Sequence, residues 1–254
     1  MDAKECYDEL ASHYHLIFEN WEASMERQAA VLGPILEQEC GPPKMTRVLD
    51  CACGIGTQSL GLAKLGFRVS GCDVSRRAIE RARVEASRRG LELQLSVADM
   101  LDLSGLEDCR FDAVVCMDNA LPHLKSREQL LRAAMQIRRK LRSKGLFMAS
   151  IRDYDRLIKE RPLVQGPSYY SDEGKRRIVF QVWDWIDERR YVFHLYITRE
   201  IGNEWTTFHA AAAYRAVLRD ELVDVLREAG FIDVRWLLPE ESGFFQPVIL
   251  AKSG

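Results

Sequence analysis

The sequence predicts an α/β protein with a doubly wound, mostly parallel seven-stranded sheet and a small antiparallel three-strand insertion after the fifth strand. Three observations predict it. Through the first 150 or so residues, strand-like and helix-like segments alternate about five times, the pattern of a parallel sheet covered on both faces. Asp50, Asp73, Asp99, the pair Asp118-Asn119 and Arg152 all fall at predicted strand ends, where such sheets bind ligands. Between residues 161 and 214 the pattern changes to consecutive strands rich in Trp, Tyr, Phe and Val.

Each element has its own signal. Residues 6–38 read as one or two helices carrying Tyr7, Tyr14, Phe18 and Trp21, and Gly41-Pro42-Pro43 breaks them. Residues 47–50 form a short strand ending in Asp50, followed by a Gly-containing loop and a helix over 58–65. After the turn at Gly66-Phe67, a strand over 68–72 ends at Asp73. Ser75 suits the N-cap of a helix over 76–89, and Gly90 closes it. Residues 93–97 alternate like a strand and lead to Ala98-Asp99. The apolar run 111–117 suits a central strand buried on both faces. A helix over 129–141 and a strand over 146–151 flank the turn at Lys144-Gly145. Inserted strands are expected over 177–185, 190–199 and 205–214. A helix over 219–229, closed by Gly230, and strands over 234–238 and 248–251 complete the sheet. The expected organisation is a helical cap over 1–40, a core from 41–160 and 215–254, and a substrate lid from 161–214.

Composition narrows the function classes. The 254 residues are 47% hydrophobic and 29% charged, and suit one α/β domain or one with an insertion. A net charge of −2 gives no overall field to gather nucleic acid or anionic lipid. The runs Arg76-Arg77 and Arg88-Arg89 read as solvated helix faces. No stretch approaches the roughly 20 apolar residues of a membrane helix. The start Met1-Asp2-Ala3-Lys4-Glu5 has no apolar signal core, so a cytoplasmic location is expected. The seven cysteines are irregularly spaced, and Cys51-Ala52-Cys53 lacks a second pair at zinc spacing. Buried thiols and no metal are the expectation.

The loop Asp50-Cys51-Ala52-Cys53-Gly54-Ile55-Gly56-Thr57 discriminates between nucleotide ligands. A dinucleotide loop needs Gly-x-Gly-x-x-Gly for close approach of the pyrophosphate, and here Ser59 stands at the third glycine. Asp50, four residues before Gly54, would sit poorly beside a pyrophosphate. S-adenosylmethionine carries no phosphate. An acid can organise the ammonium side of its site, and N–H groups at the helix start can face its carboxylate. Asp73 is placed to accept both ribose hydroxyls, Asp99 to accept from the adenine amino group, and Met100 to offer a backbone N–H and an apolar face. Each aspartate by itself is equally a helix cap or a solvated strand end; together they specify the ligand.

These residues carry a family resemblance. The segment from Val48 to Thr57 resembles the first motif of class I S-adenosylmethionine-dependent methyltransferases, and Ala98-Asp99-Met100 and residues 111–116 resemble later ones. The resemblance covers at least residues 47–151. It implies a Rossmann-like fold and S-adenosylmethionine as cofactor, with S-adenosylhomocysteine as product. The implied cofactor set is Asp50, Cys51, Ala52, Gly54, Gly56, Asp73, Val74, Ala98, Asp99, Met100, Met117 and Asp118. A narrower similarity is to glycine and glycine/sarcosine N-methyltransferases. Residues 118–124 match their Gly-Asn-Ser-Phe-Ala-His-Leu at Asn119, His123 and Leu124. Residues 151–155 match their His-Arg-Asn-Tyr-Asp at Arg152, Tyr154 and Asp155, and Tyr169-Tyr170 resembles a Tyr pair before the inserted strands. This would place Asn119, Arg152 and Tyr170 at a small-molecule acceptor, an amine nitrogen of a carboxylate-bearing compound. Asp118 departs from that pattern, standing where the family has Gly. The segment 7–28 and the end 241–247 look more like a broader bacterial group of methyltransferases without a settled substrate.

Several residues keep two readings. Arg152 suits a bidentate grip on an acceptor carboxylate, or an ion pair with Asp153 or Asp155. Asn119 could accept from an amine or cap a loop. His123 could act as a base or pin the loop after the fourth strand, and His209 could face the pocket or be a partly buried strand residue. Tyr14 and Trp21 could form a lid over the cofactor, where aromatic faces favour a sulfonium, or simply be a packed aromatic stripe. Trp183, Trp185 and Trp205 suit sheet core or an oligomer interface, which leaves a homodimer open. Transfer to another N- or O-acceptor, and a catalytically silent binding protein, also stay open.

Overall fold

The central sheet follows from strands whose successive side chains are buried on opposite faces. In the computed structural model, which describes residues 3–172 and 174–254, Val48, Ala113, Val115, Leu146 and Met148 pack to one side, while Leu49, Val114, Cys116, Phe147 and Ala149 pack to the other. A strand buried on both faces reads as a continuous apolar run, and this explains the sequence pattern.

The elements in chain order are α1 (Ala3–Leu10), a 3-10 turn (Tyr14–Ile17), α2 (Trp21–Cys40), β1 (Arg47–Asp50), α3 (Thr57–Lys64), β2 (Arg68–Asp73), α4 (Arg76–Arg88), β3 (Gln94–Val97) and β4 (Phe111–Cys116). Next come α5 (Arg127–Lys140), β5 (Leu141–Ser150), α6 (Tyr154–Glu160), β6 (Val164–Asp172), β7 (Lys175–Trp185), β8 (Arg190–Ile201) and β9 (Glu204–Arg215). The chain closes with α7 (Arg219–Glu228), β10 (Phe231–Leu237), α8 (Pro239–Ser242) and β11 (Val248–Ser253).

The seven-stranded sheet has the order β10-β11-β5-β4-β1-β2-β3. Its strands are parallel except β11, which runs antiparallel to both β5 and β10. Leu32 and Leu36 of α2 and Leu62 of α3 cover one face; Leu130 and Ile137 of α5 and Leu222 and Leu226 of α7 cover the other. α2 and α3 lie so close that a Cβ on Gly61 would come 2.8 Å from Ala29 Cβ and 2.9 Å from the Met25 carbonyl oxygen. Within the expected N-terminal helical segment, α2 is therefore a layer of the core, and α1 with the 3-10 turn is the part above the strand ends.

The inserted sheet corrects one expectation. It has four antiparallel strands, β6-β7-β8-β9, instead of three. β6 is hidden in the sequence because Gly166-Pro167 punctuates it, as a turn would, and a register shift falls between Gln165 and Ser168. It is an edge strand with Val164 and Tyr169 exposed, so it carries no buried alternation. The inner face of this sheet, with Val179, Trp183, Tyr191, Phe193, Leu195 and Tyr214 buried, is continuous with the core above the carboxyl ends of the parallel strands.

Candidate active site

The loop after β1 is held by its neighbours before any ligand is considered. Cys51 N–H donates to the Val115 carbonyl at 3.0 Å, and Cys53 N–H donates to the Cys72 carbonyl at 3.0 Å. Gly54 N–H donates to Asp73 Oδ2 at 2.9 Å, tying the loop to the end of β2. Gly56 precedes α3 at φ 99°, a left-handed conformation that disfavours any side chain.

A cavity of about 360 Å³ opens beside this loop, lined in part by Cys51, Ala52, Gly54, Asp73, Val74, Ala98, Asp99, Met100, Met117 and Asp118. Tyr14 and His123 also line it. Thus most of the residues expected around the cofactor border one space. Asp73 is buried, and its Oδ1 accepts from Ser75 N–H at 2.8 Å. Burial raises its carboxyl above the ordinary value, although the Ser75 and Gly54 N–H groups oppose the rise. Exposed Asp99 takes Leu101 N–H on Oδ1 at 2.9 Å.

Three expected cofactor residues lie elsewhere. Asp50 is fully buried beneath the loop, where Ser59 Oγ donates to its Oδ2 at 2.7 Å, and it does not line the cavity. The residue at the third-glycine position is thus the partner of the strand-end acid. Burial pushes the Asp50 carboxyl up to about 7 against the hydrogen bonds from Ser59 and Ala52. Gly56 shapes the helix start and lies outside the cavity lining. Trp21 supports the loop from behind: its Nε1 donates to Thr57 Oγ1 at 2.9 Å, and it packs against Ile55 and Ala78. Of the two aromatics considered for a lid, Tyr14 lines the cavity and Trp21 does not.

A second cavity, of about 670 Å³, lies between the inserted sheet, α1, the segment after β5 and the chain before β11. Tyr7, Tyr14 and Asp118 line both cavities, so the two spaces meet at these side chains. Asp118 and Asn119 have φ of 55° and 69°, and this consecutive left-handed pair turns the chain sharply after β4. Ser150 Oγ accepts from Asp118 N–H at 2.9 Å. Gln58 Nε2 donates to Asp118 Oδ2 at 2.8 Å, while Oδ1 is buried with no hydrogen-bond partner among the described residues.

Arg152 lines the second cavity. It donates to Tyr191 Oη at 3.2 Å and to Gln181 Oε1 at 3.2 Å, and its guanidinium carbon lies 4.7 Å from the Trp183 ring centre. Burial opposes its charge, but the facing phenols of Tyr191, Tyr154 and Tyr214 more than offset this and raise its pKa. The ion-pair reading of Arg152 is not the one the structure adopts. Arg219 instead lies 3.1 Å from Asp155 and 3.7 Å from Asp153. Among the described residues, no carboxylate forms an ion pair with Arg152.

Two expected acceptor residues stand back from this cavity. Asn119 is buried, donating through Nδ2 to Tyr154 Oη at 3.0 Å and accepting Arg152 N–H on Oδ1 at 3.1 Å. Its polar atoms are used in holding the Arg152 backbone, and it lines neither cavity. Tyr170 also lines neither; its ring carries the Arg177 guanidinium at 4.8 Å. His123 Nε2 lies 3.1 Å from Tyr7 Oη, which is 3.3 Å from Tyr214 Oη. His209 is exposed on the outer face of the inserted sheet, 3.0 Å from His194. Sequence reasoning missed Gln58, Gln181, Tyr191 and Tyr214. Strand alternation could have put Tyr191 and Tyr214 on one face, but nothing local announces the two glutamines.

The residues fit a nucleoside-containing cation. Three buried carboxyls, from Asp50, Asp73 and Asp118, gather at one end of the sheet, and a Cβ on Gly54 would meet nothing within 4 Å. Asp73 and Val74 would face a ribose, Asp99 and Met100 an adenine, and the loop with Met117 a methionine moiety.

The chain is similar in sequence and fold to known proteins. Residues 48–145 match the family described as methyltransferase domain. YqeM of Bacillus subtilis, which carries the name methyltransferase, is 26% identical over 228 residues, covering 89% of this chain and 83% of that protein. The glycine/sarcosine N-methyltransferase of Aphanothece halophytica is 29% identical over 147 residues, but the match spans only 58% of this chain and 56% of that protein. The fold is similar to SAM-bound CalS10, an amino pentose methyltransferase from Micromonospora echinaspora, with a TM-score of 0.73 and 18% identity over 91% of this chain and 92% of that one.

Proposed function

The chain is a class I S-adenosylmethionine-dependent methyltransferase, and from that premise we propose that it methylates an amine nitrogen of a small, carboxylate-bearing acceptor. The observation that carries this reading is Arg152, a half-buried cation facing the second cavity whose partners are neutral. A buried charge without a counter-charge is costly, and an acceptor carboxylate would supply one. The charge-assisted bond would contribute about 1.5–3 kcal/mol. The glycine/sarcosine relative supports the same acceptor class.

The bound cofactor supplies a methyl group activated on a sulfonium. The protein's task is to hold the acceptor against it and to keep water out, and such positioning can contribute about 7–11 kcal/mol. Asp73 would fix the ribose and Tyr14 would close over the junction of the cavities. Asn119, through the backbone of residue 152, and Tyr191 and Gln181, through the guanidinium, would aim Arg152 at the acceptor carboxylate. The test is methylation of a metabolite extract with methyl-labelled cofactor, the product being identified by mass spectrometry. An N-methylated product that carries a carboxylate is expected. A labelled product lacking a carboxylate would overturn the proposal.

A further inference from the structure

Of the three side chains shared by both cavities, one is an acid. Tyr7 Oη is already engaged with His123 and Tyr214. Burial raises the pKa of the Tyr14 phenol well above its ordinary value, so it stays neutral. Asp118 differs from both. Gln58 fixes one carboxyl oxygen at 2.8 Å and leaves Oδ1 buried and unpartnered among the described residues, at the place where the two spaces meet. A buried acceptor atom without a donor costs free energy unless a ligand completes it. With the cofactor in the first cavity and the acceptor in the second, the methyl group would cross this junction and the acceptor's nucleophile would lie beside this atom.

We propose that Asp118 Oδ1 holds the nitrogen of the acceptor and takes the proton that nitrogen must lose before methyl transfer. This rests on the amine reading above and deepens it: with Arg152 in the same cavity, it makes the preferred acceptor a zwitterionic amino acid. The atoms balance. An ammonium gives one proton to Oδ1, and the freed lone pair forms the N–C bond. The S–C bond breaks with its electron pair left on sulfur, and the product is an N-methylammonium. The surroundings suit the task. Gln58 from α3 and Gln28 from α2 act on the carboxyl, Tyr14 from the 3-10 turn and Asp50 at the end of β1 interact with it electrostatically, and Tyr7 from α1 and Arg152 after β5 line the second cavity with it. Burial pushes it up to about 6 against the pull of Gln58 and Gln28, near the value useful to a base at neutral pH.

Asp118→Asn keeps an acceptor toward Gln58 and turns a donor into the junction. The probes are glycine, sarcosine, ethylamine and the hydroxyl analogue glycolate, with S-adenosylhomocysteine binding followed by calorimetry. For the wild-type protein, methylation of the amines but not glycolate is expected, with kcat/KM falling below about pH 6. In the variant, kcat/KM for the amines should drop about a hundredfold and that acid limb should vanish. S-adenosylhomocysteine affinity should stay within about threefold, since Asn keeps the oxygen that Gln58 holds and this product carries no sulfonium charge. A matching loss of S-adenosylhomocysteine affinity would assign the carboxyl to the cofactor and overturn the proposal. So would unchanged kinetics, methylation of glycolate in place of the amines, or turnover of no amine in the set. Ethylamine turned over as well as glycine would instead defeat the carboxylate reading of Arg152, while the acid limb with ethylamine still judged Asp118.

Discussion

Asp50 and Asp73 stand at the ends of adjacent strands, yet burial and partners give them different work. Asp50 is sealed under the loop with Ser59, and its folded carboxyl, at about 7, lies far above the ordinary 3.8. Between about pH 4 and pH 7 the folded chain therefore holds a proton that the unfolded chain has released, and stability falls as pH rises through this window. Asp118, raised to about 6, acts in the same direction. We expect Asp50→Asn to flatten the decline of the melting temperature of the ligand-free protein between pH 4 and pH 7; an unchanged slope would show that Asp50 does not titrate there. Asp73 borders the cavity, and Asp73→Asn should weaken S-adenosylhomocysteine binding about tenfold to a hundredfold, read by calorimetry, with acceptor KM little changed. Aspartates at strand ends were legible because a local pattern placed them. Which one faces ligand was not legible, because that depends on Ser59 folding back beneath the loop. Tyr7, Gln181 and Tyr191 were hidden for a related reason: they reach the site from segments far apart in the chain.

Besides Gln181 and Tyr191, which hold Arg152, the inserted sheet reaches the site through Arg177 of β7. Arg177 is buried and donates to the carbonyls of Leu16, Phe18 and Glu19, the last two at 3.0 Å and 3.4 Å. These carbonyls follow Tyr14, so the guanidinium pins the turn that puts Tyr14 between the cavities. Arg177→Met should raise S-adenosylhomocysteine Kd and acceptor KM together, each about tenfold, and speed amide exchange over residues 14–20. Faster exchange without either binding loss would show that the turn does not guard the site. The central parallel strands were legible as apolar runs, and α4 as a periodic helix with a cap, Ser75 Oγ accepting Ala78 N–H at 3.0 Å. β6 was not, since an exposed edge strand interrupted by Gly166-Pro167 carries neither period nor burial. The docking of α1 over the strand ends was not legible either, because it depends on the inner face of β9 beneath it.

Across the whole molecule the net charge is only −2, and local charge matters more than the total. Asp73, Asp99 and Asp118 line the first cavity, and the half-buried Arg152 lines the second. In the proposed function, cation and anion would be recognised in separate spaces that meet at Tyr7, Tyr14 and Asp118. Among the described residues, no helix is long and apolar enough to cross a membrane. The family and fold were legible from the loop and the strand ends, whereas the acceptor cavity exists only once the inserted sheet closes over the core. The most direct measurement compares kcat/KM for glycine with that for ethylamine in wild type and Arg152→Gln, with S-adenosylhomocysteine affinity as the control for folding. A wild-type preference for glycine of about 10–150-fold, lost in the variant while S-adenosylhomocysteine binding is kept, is the predicted result. A preference that is absent from the wild type, or survives in the variant, would contradict the account.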